Sequence, residues 1–262
     1  MSQLTTPLRA DPEWWRKNYL NTDYLVSHQG RDGNEVRAEV QFILAATGVP
    51  PDRKVVDLAC AEGTHANHLA SLGYSDVVGV DLSPFMVERA EAAAPAPPAP
   101  RPRFACRDMR SCEDLLAGAG LVQILYNSIG FFDAEADHDE LFAAVAKALA
   151  PNGSFFLDVF PAEHLLPQLR VGEVRRFDRE TVTVDEQYDP ASRRLVRRTR
   201  VERRSAPVSE RVSSQRIFEL AELLDRLRAA GFSETHVYAD FEFRPYDPAR
   251  DRRACLIARH GS

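Results

Sequence analysis

Val55-Val56-Asp57-Leu58-Ala59-Cys60-Ala61-Glu62-Gly63-Thr64 is the stretch that decides the fold. An apolar, partly β-branched run enters a turn of small residues, and a helical pattern follows over Thr64–Leu72. Such a run reads as a buried strand, and small residues at its tip let a ligand come close to the backbone. Thr64 is the expected N-cap of the helix and Gly73 its stop. The pattern then repeats. Asp76–Val80 reads as a second strand, followed by a helix over Ser83–Ala94 with Ser83 as its cap and Pro84 at its first position. The run Pro95–Pro102 predicts a surface loop. Arg103–Cys106 reads as a third strand, Leu121–Leu125 as a fourth, Ala136–Ala150 as a helix and Ser154–Phe160 as a fifth strand. Strands alternating with helices at this spacing predict a parallel sheet covered on both faces.

Outward from this unit the texture changes. Strands are predicted at Glu173–Phe177, Thr181–Tyr188, Arg194–Arg203 and Arg211–Phe218, with a turn signal at Asp189-Pro190-Ala191-Ser192. A helix over Glu219–Ala230, closed by Gly231, and strands at Thr235–Phe241 and Ala254–Arg259 then restore the α/β texture. The opening segment 11–47 is helical in pattern, with Val40, Ile43 and Leu44 on one face and a break near Gly30–Gly33. The expected fold is α/β: a doubly wound, mostly parallel seven-stranded sheet with an inserted antiparallel β lid. Its expected parts are a helical cap over 1–47, the main domain over 48–161 and 217–262, and the lid over 162–216.

A chain of 262 residues suits one large domain, or one carrying an insertion, and 44% hydrophobic with 27% charged residues is a globular balance. The net charge of −6 argues against attraction of the whole chain to nucleic acid or an anionic membrane. Cys60, Cys106, Cys112 and Cys255 form no CxxC pair, so zinc spacing is absent; they read as reduced thiols of a cytoplasmic protein. Met1–Pro12 lacks the layout of a signal peptide, and no apolar run is long enough to span a membrane. His65 and His68 stand at i, i+3 without a carboxylate cluster, so they read as packing or solvent-facing histidines and no metal site is expected.

The strand tips carry the chemistry. A dinucleotide fingerprint requires G-x-G-x-x-G. Here Ala59 and Ala61 occupy the first two small positions and only Gly63 is glycine, so the loop suits a ribose or an amino-acid moiety better than a pyrophosphate. Asp81 ends the second predicted strand, where a carboxylate can accept from two ribose hydroxyls. Asp108-Met109 follows the third, where a carboxylate can accept from an adenine amino group. Ligands of open α/β sheets bind at these carboxyl ends.

Four stretches together resemble class I S-adenosylmethionine-dependent methyltransferases: Asp57–Gly63, Gly79–Met86, Arg107–Met109 and Leu149–Gly153. The resemblance covers roughly residues 35–160 and resumes over about 215–259. It implies S-adenosylmethionine as cofactor and S-adenosylhomocysteine as product. It puts Asp57 and Gly63 near the methionine part, Asp81 near the ribose, and Leu82, Met86 and Met109 around the adenine, with Ala59, Asp108 and Tyr126 also on the cofactor side. It further implies an opening segment folded over the cofactor, with Tyr19 and Tyr24 as its tyrosines and Arg31 or Arg37 for the methionine carboxylate. Plain core packing remains the alternative for Leu82 and Met86. The departure from the family is Ala59 and Ala61, usually glycine, which are tolerated unless their φ is positive.

The fourth strand runs into Tyr126-Asn127-Ser128-Ile129-Gly130-Phe131-Phe132, similar to the Asn-Ser-Phe stretch of glycine N-methyltransferases and related small-molecule N-methyltransferases. Asn127 and Phe131 are the expected acceptor wall, and Phe132 and Tyr24 are expected beside the transferred methyl. Packing under the next helix is the alternative for either phenylalanine. His164, just past the fifth strand, is the best-placed general base. The expected reaction is methyl transfer to an amine of a small metabolite, of the kind antibiotic pathways use. A hydroxyl acceptor is the rival, and an RNA or protein acceptor on the Arg193–Arg204 stretch the remaining alternative. That stretch equally reads as a solvated face answered by Glu173, Glu180, Asp185, Glu186 and Asp189. No nucleic-acid or membrane partner is expected, and the lid is the expected surface for a homo-oligomer.

Overall fold

The computed structural model describes residues 8–11, 14–18, 33–204 and 206–260. Helices α1 (Trp14–Asn18) and α2 (Gly33–Thr47) precede the first strand. There follow β1 (Val55–Leu58), α3 (Thr64–Ser71), β2 (Val77–Asp81), α4 (Pro84–Ala92), β3 (Arg103–Cys106), α5 (Glu113–Leu116), β4 (Ala119–Ile124), α6 (Glu135–Ala148) and β5 (Leu149–Val159). After α7 (Ala162–Leu165) come β6 (Glu173–Arg176), β7 (Glu180–Asp189), β8 (Arg194–Arg203) and β9 (Ala206–Arg216). The chain closes with α8 (Leu220–Ala229), β10 (Glu234–Ala239), β11 (Glu242–Pro245) and β12 (Ala254–Arg259).

The main sheet has the order β3-β2-β1-β4-β5-β12-β10-β11. β1 through β5 pair in parallel, whereas β12 lies antiparallel between β5 and β10. Because β1 stands between β2 and β4, the chain turns outward in both directions from it, and the crevice at the tips opens at this reversal. Two apolar layers cover the faces. Val56, Leu58, Ile124 and Phe155 pack with Phe142 of α6 and Leu223 of α8. Val55, Leu121 and Phe156 pack with Val40 and Ile43 of α2 and Leu69 of α3. Gly79 makes one close approach possible: a Cβ there would lie 2.5 Å from the ring of Phe104, its partner on β3.

The sheet is one strand larger than expected. β11 is a four-residue edge strand that turns back from β10 through left-handed Asp240 and Phe241. Its four residues, Glu242-Phe243-Arg244-Pro245, are too few to mark a strand by pattern, and an edge position is where a proline in a strand is tolerated. Gly63, with φ of +69°, is the N-cap of α3, so Thr64 lies inside the helix and does not cap it. Ser83 caps α4 as expected, its Oγ accepting from the Met86 N–H at 3.2 Å. β9 stops at Arg216, and Ile217 and Phe218 turn into the core.

The second sheet, β6-β7-β8-β9, is antiparallel throughout. Its arginines meet carboxylates directly across the ladder: Arg198 meets Asp185 at 2.8 Å and Arg197 meets Glu186 at 2.7 Å. Asp189 closes the β7–β8 turn by accepting from the Ala191 N–H and the Ser192 hydroxyl. This sheet is fastened to the segment after β4. Arg194 donates to the Phe132 carbonyl at 2.7 Å, and a Cβ on Gly130 would lie 2.3 Å from the Arg216 carbonyl oxygen. α1 rests on the same sheet, with the Asn18 amide donating to the Val212 carbonyl at 2.9 Å.

Candidate active site

A cavity of about 310 Å³ opens at the tips of β1, β2 and β3 and is closed by the turn after β4 and by α1. Ala59 and Ala61 bring the β1 loop to its edge. Both have positive φ, +57° and +48°, so each holds a side chain in a backbone region suited to glycine. Asp81 ends β2, with Oδ2 accepting from the Ala61 N–H at 2.8 Å and Oδ1 from the Ser83 N–H at 2.9 Å. These bonds fix the carboxylate, which has about four lone-pair sites and so keeps capacity for hydroxyl donors. Burial pushes the Asp81 carboxyl up, against the pull of the Ser83 and Ala61 N–H groups. Leu82, Met86 and Met109 supply an apolar wall, with Met86 fully buried.

Asp108 lines the cavity past β3 and caps a short turn, its Oδ1 accepting from the Arg110 N–H at 3.0 Å. The Arg110 side chain returns to the same carboxylate, Nε to Oδ1 at 3.0 Å and Nη2 to Oδ2 at 2.6 Å, and its Nη1 reaches Asp137 at 2.6 Å. Bonds from Asp108 and Asp137 raise the Arg110 pKa, so this cation is permanent. Phe131, Phe132, Ser128 and Trp15 complete the opposite wall. Phe131 meets Trp14 edge-on at 5.4 Å between ring centroids.

Several expected site residues stand elsewhere. Asp57 is buried within β1, outside the cavity lining; burial pushes its carboxyl up to about 6, against the pull of His65. Gly63 turns the loop into α3, packed against Ala90 and Phe104, and does not face the cavity. Asn127 is buried, with Oδ1 accepting from the Phe160 N–H at 3.3 Å, and its neighbour Ser128 reaches the wall instead. His164 sits on α7 beside Gln168, away from the cavity, so the expected general base is not at hand there. The reason is local: Pro161 starts α7 directly after β5 and carries His164 out of the crevice. Arg37 is exposed on α2. Tyr19, Tyr24 and Arg31 lie outside the described residues. The residues that sequence reasoning did not single out are Trp15, Arg110 and Ser128. Arg110 directly follows the quoted Arg107–Met109 stretch, and Ser128 lies within the turn read for its neighbours.

Behind the cavity lies a buried polar cluster. Glu39 of α2 takes His65 Nε2 at 2.9 Å, Arg253 Nη1 at 3.0 Å and the Tyr126 hydroxyl. Burial would push Glu39 up, but the bonds from His65 and Tyr126 and the charge of Arg253 outweigh it and hold the carboxyl down at about 2. Arg253 also grips Asp158 through Nε at 3.0 Å and through Nη2. Asp158 in turn accepts from the Tyr126 N–H at 2.9 Å, and its carbonyl from the Asn127 N–H at 2.9 Å. Tyr126 and Asn127, with φ of +55° and +61°, are held in the left-handed region by these bonds. Tyr126 therefore faces α2 and shapes the turn, outside the cavity lining.

Residues 55–153 match a family model described as a methyltransferase domain. Solved structures share the chain's fold. An S-adenosylmethionine-dependent methyltransferase from Clostridium acetobutylicum superposes with a TM-score of 0.74 at 17% identity, over 92% of this chain and 96% of that one. The methyltransferase CcbJ from Streptomyces caelestis gives 0.74 at 22% identity, over 88% and 97%. The sugar N-methyltransferase KedS8 from Streptoalloteichus gives 0.69 at 20% identity, over 100% and 98%. At these identities the likeness establishes the fold. No curated protein matches the sequence.

The cavity residues fit S-adenosylmethionine, the cofactor that the resemblance implies. An oriented carboxylate at the β2 tip suits a ribose diol. An apolar wall of Leu82, Met86 and Met109 beside Asp108 suits a flat base with an exocyclic amine. Small side chains at Ala59 and Ala61 leave room along the β1 loop. Among the described residues no group of histidine, cysteine and carboxylate side chains could hold a metal, and no helix is long and apolar enough to cross a membrane.

Proposed function

We propose that this chain is an S-adenosylmethionine-dependent methyltransferase that acts on an amine of a small molecule, in secondary metabolism. The observation that carries the choice of an amine is the makeup of the cavity. Among the described residues its lining holds no histidine, lysine or tyrosine, and its two aspartates are engaged, Asp81 by the Ala61 and Ser83 N–H groups and Asp108 by Arg110. A neutral amine already presents a lone pair and needs placement and dryness more than a base. S-adenosylmethionine supplies an electrophilic methyl group on a sulfonium. The chain's part is to hold the two molecules in line and exclude water. Asp81 and Asp108 orient the cofactor, and Ser128, Phe131, Phe132 and Trp15 shape the acceptor end. Two solved neighbours support an amine acceptor by their own descriptions, a sugar N-methyltransferase and a glycopeptide N-methyltransferase. A macromolecular acceptor finds less support, because the β8 arginines Arg197, Arg198 and Arg203 are answered by carboxylates.

The test is transfer of labelled methyl from S-adenosylmethionine to a panel of small amines, amino sugars and alcohols. Methylated amines, with a rate that rises with pH until the acceptor ammonium is deprotonated, are the expected result. Turnover of alcohols alone would replace this reading with O-methylation.

A further inference from the structure

Arg110 stands where the cofactor half of the cavity meets the acceptor half. Three of its nitrogens are committed to two carboxylates on different elements, Asp108 past β3 and Asp137 on α6. A guanidinium held at three corners by two carboxylates cannot rotate out of its plane without losing charge-assisted bonds. Its faces meet two aromatic rings, Phe132 at 5.4 Å and Trp15 at 6.0 Å from the ring centroids. Asp108, Arg110, Phe132 and Trp15 all line the same cavity. Trp15 belongs to α1, a five-residue helix that rests on β9 through Asn18 and on Phe131 through Trp14. The planar cation therefore joins an adenine-side carboxylate, a ring of the acceptor wall and α1.

We propose that Arg110 is a positioning residue that couples cofactor binding to the placement of α1 and the acceptor wall. The inference rests on the reading of this cavity as the S-adenosylmethionine site. A ligand at Asp108 displaces water from around the pair. The loss of water strengthens both the ion pair and the attraction between the cation and the rings. Trp15 and Phe132 are then held more firmly against Arg110, and the acceptor wall is set as the cofactor arrives.

The chain has two tryptophans, Trp14 and Trp15, both on α1, so intrinsic fluorescence reports this segment. The experiment is titration of the full chain with S-adenosylhomocysteine, read by fluorescence and by calorimetry. In the wild type the emission changes in step with binding. Arg110→Gln should weaken binding by ~5–10-fold and remove most of the emission change, and Arg110→Lys, which keeps charge without the fork, should restore little of it. Asp137→Asn leaves the Asp108–Arg110 pair intact, so its affinity should stay within about twofold while its emission change shrinks. Wild-type emission responses in both Arg110→Gln and Asp137→Asn would overturn the coupling while leaving the cofactor site standing. No binding by the wild-type chain would overturn both.

Discussion

Ala59 and Ala61 put two methyl groups where φ is positive, at the edge of the cavity. An L-residue in the left-handed region costs about 1–2 kcal/mol, and glycine offsets part of that gain by its freedom in the unfolded chain, about 0.4–1 kcal/mol. Ala61→Gly should thus raise stability by ~0.5–1 kcal/mol, seen as a melting midpoint about 1–4 °C higher, with cofactor affinity undiminished. A lower midpoint would mean that the alanine methyl packs usefully against the loop. Asp57 poses the opposite problem, since it is buried without lining the cavity. Its carboxyl titrates at about 6 in the folded chain against the ordinary 3.8. The folded state holds the proton more tightly, so this group favours folding most below pH 3.8, and that contribution is lost as the pH rises to about 6. Asp57→Asn should raise stability at pH 8 by ~2–3 kcal/mol and flatten the dependence between pH 4 and 6, as followed by urea denaturation. An unchanged slope would show that Asp57 is neutralised by its neighbours in both states.

The antiparallel sheet is joined to the turn after β4 by contacts with little slack. Arg194 ties β8 to the Phe132 carbonyl, and Gly130 touches the backbone of Arg216. Gly130→Ala would force its Cβ into a carbonyl oxygen 2.3 Å away, so the turn or β9 must shift. A loss of ~1–3 kcal/mol in stability is expected, with a higher KM for the acceptor and cofactor binding nearly unchanged. A variant of unchanged stability and KM would show that the antiparallel sheet yields freely. Which elements were legible in the sequence follows the same logic. β1, β2 and β4 are apolar runs bounded by turn residues, and their periodicity is local. β11 was not legible, because a short charged edge strand is made by pairing with β10 rather than by its own pattern. Asp81 was expected at a strand tip because β2 is a buried apolar run that ends on it, and it lines the cavity, whereas Asp108 follows a largely unburied strand and was expected from the order of the quoted stretches. Arg110 and Trp15 were not, because they are distant in sequence and their meeting depends on where α1 lies. His164 misled for a related reason: nearness to a strand end in sequence did not survive the turn of α7.

Two buried glutamates, Glu39 on α2 and Glu186 on β7, lie in different parts of the molecule. Glu39 and Glu186 are both held at about 2 against an ordinary 4.5. Burial works against each, but His65, Tyr126 and Arg253 at Glu39, and Arg170 and Arg197 at Glu186, outweigh it. Each contributes stability that is complete above pH 4.5 and is lost as the pH falls toward 2, ~2–3 kcal/mol per group. Asp57 acts in the other direction. Glu186→Gln should shrink the acid arm without altering the fall between pH 4 and 6. A pH profile of the melting midpoint that leaves the acid arm unchanged in that variant would contradict the assignment.

On this reading the crevice at the strand tips holds S-adenosylmethionine, with Asp81 at its ribose. Calorimetric titration of the full chain and of Asp81→Ala with S-adenosylmethionine tests both statements. The wild type should bind one equivalent, and the variant should bind ~5–150-fold more weakly, matching about 1–3 kcal/mol for hydroxyl partners left unsatisfied. Equal affinities in the two proteins, or no binding by the wild type, would contradict this reading.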